Sequence, residues 1–177
     1  VGYAIITVGL IGIGIAFWKL WSLFVLGKAV RNQAGSKVLD VRNPLGRVLK
    51  VGEENFKKDI DTLELKLAEA IMAERPSIER GIGAVRIISV VAPLAGLLGT
   101  VTGMIQAFIS IAEEEGAVSP KLLSSGIYEA MLTTAAGLFV GIIAYLSYNY
   151  LVSRVEKLIH KMEYTTIEFI ETLQSKK

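Results

Sequence analysis

The sequence predicts an all-α integral membrane protein, with three transmembrane helices and long cytoplasmic helical extensions. Of its 177 residues 52% are hydrophobic and the mean hydropathy is +0.50, more apolar surface than a water-soluble fold of this length can hide. Three segments, 1–26, 87–112 and 122–153, reach the about 20 apolar residues that carry an α-helix across a hydrocarbon core. Lysine and arginine gather between and after these segments, so their placement sets the topology.

The first span, 1–26, opens on eighteen residues without charge, and no basic stretch precedes them, which favours a membrane span over a signal peptide. Lys19 stands between Trp18 and Trp21, an arrangement expected where aromatic rings anchor at the headgroups and a lysine snorkels outward. The region 27–86 carries twelve Lys or Arg residues, and the tail 154–177 carries five more, whereas the turn at 113–121 has only Lys121. The positive-inside rule then puts 27–86 and 154–177 in the cytoplasm and the N-terminus and the Glu113–Glu115 turn outside.

The cytoplasmic region is expected to be helical, because Phe56, Ile60, Leu63, Leu67, Ala70 and Ile71 recur at helical spacing among charged residues. Asn43-Pro44-Leu45-Gly46 reads as the turn before this helix and Pro76 as the break after it. Beyond the third span Val155, Leu158, Met162, Thr166, Phe169 and Leu173 keep the same spacing, so that helix is expected to run on into the cytoplasm.

In lipid, helices associate through close packing of small residues. The second span has such a stripe at Ala92, Gly96, Gly99, Gly103 and Ala107, and the third at Ala130, Thr134, Gly137, Gly141 and Ala144. These faces suit assembly with copies of the chain or with another subunit. Thr100 and Thr102 lie in the second span and Thr133 and Thr134 in the third. Each hydroxyl can simply bond its own i−4 carbonyl, but if the small faces meet, Thr100 and Thr134 approach at one depth and offer hydroxyls to water or an ion. Glu129 is the one charge in the third span, and a carboxylate at the bilayer centre costs about 2.5 to 3.5 kcal/mol. It either lies near the outer headgroups or faces a cavity where it titrates or pairs.

Other chemistry is absent from the pattern. A charge of +2 with no basic run gives no case for nucleic acid, and the lack of cysteine removes disulfides and thiolate metal sites. His160 among Lys157, Lys161 and Glu156 reads as a solvated residue, so neither a metal nor a cofactor is expected. No phosphate loop, nucleophile elbow, HExxH or dinucleotide fingerprint occurs, and the chain is read as a non-enzyme.

VAPLAGLLGTVTGMIQAF at 91–108 and GIYEAMLTTAAGLFVGIIAYLSYN at 126–149 resemble the paired signatures of the MotA/TolQ/ExbB proton channel family, and LELKLAEAIMAERPSIERGIGAVR at 63–86 is similar to the approach helix of ExbB-type members. Three spans with the N-terminus outside resemble ExbB and TolQ more than MotA. The resemblance implies a helical ring oligomer, a pentamer, in the bacterial inner membrane. The ring would enclose the single helices of an ExbD- or TolR-like subunit, whose aspartate carries the proton, and act on a TonB-like protein in outer-membrane nutrient uptake. It further implies that Thr100 and Thr134 line the pore and that Glu129 is the acidic residue near the outer end of the third span. Thr133 joins them as a further candidate hydroxyl. Ile142-Ile143 stand where the family commonly has Ile-Pro, so the third helix is expected to lack that kink. A TolQ-like role in envelope maintenance, a non-conducting scaffold, and sodium in place of protons are the competing expectations.

Overall fold

The computed structural model describes residues 2–34, 40–113 and 120–174. Among them every regular element is an α-helix: α1 (Gly2–Ala34), α2 (Pro44–Asn55), α3 (Ile60–Glu79), α4 (Ile82–Glu113) and α5 (Pro120–Gln174). Ile82–Ala112 and Ser124–Thr172 are long and apolar enough to cross a membrane. Leu94, Leu97, Val101, Ile105 and Phe108 of α4 and Leu132, Phe139, Ile142 and Leu146 of α5 point outward, the reverse of a soluble fold and the arrangement that lipid favours. The chain is therefore an all-α membrane protein. Most of the expected 113–121 turn, including Glu114 and Glu115, lies outside the described residues, as do Lys176, Lys177 and the side chains of Lys121 and Leu173.

The described residues divide into two units, Val1–Phe17 with Gly81–Asn149, and Trp18–Arg80 with Tyr150–Lys177. In the first, α4 and α5 meet along their small-residue faces. A Cβ on Gly137 would come 2.6 Å from the Ala92 carbonyl oxygen and 2.8 Å from Gly96 Cα, and one on Gly96 would come 3.1 Å from the Thr133 carbonyl oxygen. The backbones thus approach at a distance only glycine permits. Gly103 faces Ala130, and Gly141 faces the ring of Pro93. That contact accommodates a proline inside α4, while α5 runs through Ile142 and Ile143 as one helix. From α1, Gly12 and Ala16 border the same small gap as Ile88 of α4 and Ile143 and Ala144 of α5.

The second unit has its own core. Leu45 and Val48 of α2, Leu67 of α3, and Leu151, Val155 and Met162 of α5 are almost wholly buried, each burial of this kind contributing about 1.5–3 kcal/mol. Gly52 joins the three helices, since a Cβ there would meet Phe169 Cε1 at 2.8 Å and Leu67 Cδ2 at 3.0 Å. Across α2 and α3, Arg47 Nε and Nη2 donate to Glu74 Oε1 and Oε2 at 2.7 and 2.6 Å.

Three local expectations are corrected here. Asn43-Pro44-Leu45-Gly46 is a helix start rather than a turn: Asn43 Oδ1 accepts from Leu45 N at 3.1 Å, and Pro44, with no N–H to lose, takes the first position of α2. Pro76 lies inside α3, and the chain turns five residues later at Gly81, whose φ of +89° is open to glycine at little cost. The stripe from Phe56 to Ile71 is split between elements, with Phe56 and Ile60 exposed and Leu63, Leu67 and Ile71 buried, because Asp59 caps a fresh helix.

Lys19 also departs from expectation. It is only 5% exposed, whereas Trp18 and Trp21 are 67% and 65% exposed. Helical geometry explains this: Lys19 shares the i, i+4, i+11 stripe of the buried Leu23 and Val30, and the tryptophans occupy the opposite side.

Candidate functional site

Within the first unit the residues of interest fall into two neighbouring arrangements on the α4–α5 seam. The first is a hydroxyl pair. Thr134 Oγ1 donates to the Gly96 carbonyl oxygen at 2.9 Å, and the hydroxyls of Thr100 and Thr134 are hydrogen-bonded to each other. Thr100 is farther from its other acceptors, 3.4 Å from the Gly96 and 3.3 Å from the Ala130 carbonyl oxygen. The consistent proton arrangement runs from Thr100 to Thr134 to Gly96. Each threonine has one O–H to give, so both donors are committed and only acceptor lone pairs remain. Such a pair can receive a hydrogen bond from a protonated acid or hydronium but cannot donate one without breaking the seam.

The second arrangement is a polar cavity of about 340 Å³. From α4 it is lined by Gly99, Thr102, Gly103, Gln106, Ala107 and Ser110, and from α5 by Ser125, Gly126, Glu129, Ala130 and Thr133. The glycines and alanines matter as much as the polar groups, because their small size opens the space the polar groups share. Glu129 is solvent-exposed on this wall. Thr133 is buried and donates to the Ala130 carbonyl oxygen at 2.7 Å, Thr102 donates to the Leu98 carbonyl oxygen at 3.0 Å, and Ser110 to the Gln106 carbonyl oxygen at 3.0 Å. With these hydroxyls turned to their own helices, the carboxylate of Glu129, the amide of Gln106 and the hydroxyl of Ser125 are the groups left to meet water or an ion.

The cavity thus gathers Glu129 and Thr133 but not Thr100 and Thr134. Gly96, Gly103, Gly137 and Gly141 lie close against the facing helix, and Gly99 and Gly103 border the cavity. Gln106, Ser110 and Ser125 escaped sequence reasoning. A signal for the first two was present, since Thr102, Gln106 and Ser110 stand at i, i+4 and i+8 in an otherwise apolar span, one face of a helix. Among the described residues no group of acidic, histidine or cysteine side chains could hold a metal. His160 is exposed and lies 3.0 Å from Glu163 Oε2.

Two apolar helices sealed along glycine and carrying a polar wall define an all-α membrane protein with a polar cavity between two candidate spans. The sequence profile of the MotA/TolQ/ExbB proton channel family matches residues 40–164, and the chain belongs to that family. A putative biopolymer transport protein ExbB homolog of Methanothermobacter thermautotrophicus is 33% identical over 126 residues, 69% of this chain and 43% of that protein. The biopolymer transport protein exbB1 of Vibrio cholerae is 35% identical over 95 residues, 54% of this chain and 42% of that protein. The Tol-Pal system protein TolQ of Pseudomonas aeruginosa is 30% identical over 169 residues, 89% of this chain and 72% of that protein. The chain spans less than half the length of these two ExbB relatives.

Proposed function

We propose that the chain is an ExbB-like subunit of an inner-membrane proton-driven motor. In this reading α1, α4 and α5 all cross the bilayer, with the N-terminus in the periplasm and the C-terminus in the cytoplasm. Five copies form a ring around an ExbD-like partner, and the assembly transmits proton motive force to a TonB-like protein for nutrient uptake. The observation that carries it is the polar cavity with Glu129 on its wall, set in the two spans of a proton channel family member. A carboxylate there is expensive unless it has work to do.

A proton crossing about 100 mV releases about 2.3 kcal/mol, and this drives movement only if the proton cannot leak. The seam suits that requirement. Thr100 and Thr134, with their donors committed, accept a hydrogen bond from the partner's protonated carboxyl without holding a proton themselves, while the glycine contacts from Gly96 to Gly141 exclude a continuous water file. Glu129 and Gln106 supply the wet entrance. The helical second unit provides the stiff base against which the partner moves.

The test is proton uptake by vesicles holding the chain together with an ExbD-like subunit, read with a trapped pH dye. Wild type conducts, and Glu129→Gln lowers the initial rate with the complex intact. Equal rates would remove Glu129 from the pathway, and no flux from wild type would favour a scaffold. The 30% identity to a TolQ over most of this chain supports envelope maintenance as the second reading. Restoration of outer-membrane integrity in a strain lacking TolQ, without restoration of nutrient uptake in one lacking ExbB, would select it.

A further inference from the structure

We propose that the second unit carries a binding site for the phosphate headgroup of an anionic phospholipid of the cytoplasmic leaflet, in a groove between α1 and α5. The groove encloses about 320 Å³. Lys28 and Arg31 enter it from α1, and Arg154, Lys157 and Lys161 from α5, with no carboxylate in its wall. Among the described residues none of these five side chains is paired with an acid. Five cations converging without counter-charge repel one another and favour an anion between them.

The remaining wall says which anion. Leu20, Leu23 and Phe24 line the groove on the α1 side before Gly27, and the cations follow. On α5 Tyr150 comes first, and Arg154, Lys157, Leu158 and Lys161 follow. Each stripe covers eleven residue steps, about 16 Å of helix; the α1 stripe passes from apolar through aromatic to basic, and the α5 stripe from aromatic to basic with Leu158 among its cations. A soluble phosphate would use only the basic end, whereas a phospholipid uses all of it, its phosphate among the cations and its upper acyl chain along Leu20, Leu23 and Phe24. Tyr150 holds Arg154 in place: Arg154 Nε donates to the tyrosine oxygen at 2.9 Å and the guanidinium carbon lies 5.1 Å from the ring centre. Gly27 keeps the wall open, for a Cβ there would meet nothing within 4 Å.

The inference goes beyond the ion pathway and leans only on α1 and α5 crossing the bilayer with their basic ends in the cytoplasm. Native mass spectrometry of the detergent-purified full chain tests it, with phosphatidylglycerol and phosphatidylcholine of identical acyl chains added in turn. Phosphatidylglycerol is expected to stay bound, one per chain, at collision energies that strip phosphatidylcholine. Each cation removed, as in Lys157→Gln or Lys161→Gln, lowers its occupancy by about fivefold. Gly27→Leu, which fills the groove without altering charge and favours the helix, lowers it as well. Equal retention of the two lipids, unchanged occupancy in the variants, or displacement of phosphatidylglycerol by millimolar inorganic phosphate would each overturn the proposal. Proton flux is not the readout, so a failure of the ion-pathway assignment is seen in a different experiment.

Discussion

Gly96 and Thr134 hold the α4–α5 seam together by two means at once: the Thr134 hydroxyl donates to the Gly96 carbonyl at 2.9 Å, and a Cβ on Gly96 would lie 3.2 Å from Thr134 Cα. The hydrogen bond exists because the glycine allows the backbones to close, and it stays part-buried on the seam. Packing and polar chemistry are one feature at this point.

Gly137 measures the packing half. Its Cβ would press on the Ala92 carbonyl oxygen and Gly96 Cα, both backbone atoms that no rotamer change can move. Gly137→Val is expected to part the helices and destabilise the protein by about 1–3 kcal/mol, as overpacking does elsewhere. Thermal unfolding in detergent checks this, with Gly27→Ala, which finds open space and favours the helix, as the control that does not lower the transition.

Thr134→Val measures the polar half. Interhelical hydrogen bonds in membranes average only about 0.6 kcal/mol, and valine matches threonine in shape, so the folded protein survives. The Thr100–Thr134 pair does not, because Thr100 loses its acceptor. Proton-dependent transport is expected to fall sharply while the unfolding midpoint shifts little. Intact transport in Thr134→Val would remove the hydroxyl pair from the pathway.

How much of this was legible in the sequence depended on how free the pattern was of charge. The small stripes of the two spans repeat over four turns and marked the packing faces, which suited copies of the chain or another subunit as well as each other; the structure sets Gly137 against Gly96 within one chain. Thr100 and Thr134 followed from the same register. The stripe from Phe56 to Ile71 is as long but mixed with charge, so the capping role of Asp59 was hidden and Phe56 was assigned to a face it does not share. Pro76 misled because a proline inside a helix removes one backbone hydrogen bond and crowds the carbonyl four residues back without having to end the helix, and Gly81 was the stronger stop. The Arg47–Glu74 pair and the basic groove join residues far apart in the chain, which periodicity along one helix cannot report.

Asp59 links the second unit to pH. The Thr62 backbone N–H donates to its carboxylate at 3.0 Å and the Thr62 hydroxyl at 2.9 Å, and these bonds, the backbone one foremost, hold the carboxyl below the usual range. A carboxyl depressed in the folded state contributes stability that is present above its unfolded pKa of about 3.9. That contribution is lost as the pH falls through the lower folded value. Asp59→Asn keeps a good cap without the charge. The variant is therefore expected to show a smaller drop in unfolding temperature than wild type between pH 6 and pH 3. Parallel drops would mean that the cap charge contributes nothing.

Arg47 donates two parallel hydrogen bonds to the Glu74 carboxylate, and Arg47 Nη1 also donates to the carbonyl oxygens of Val41 and Arg42 at 3.2 Å. One side chain therefore fixes the entry to α2 and pins α2 to α3. The pair is partly solvated, with the Arg47 side chain 39% exposed, so solvent screening limits its coupling to about 0.5–1 kcal/mol. Lysine cannot reproduce the fork, and Arg47→Lys is expected to lose most of that coupling and both carbonyl contacts. A double-mutant cycle with Glu74→Gln, read by chemical denaturation, isolates the pair term from the carbonyl term. A cycle that closes to zero would assign the role of Arg47 to the carbonyls alone, and the stiffness of the second unit would then rest on its apolar core around Leu67 and Met162.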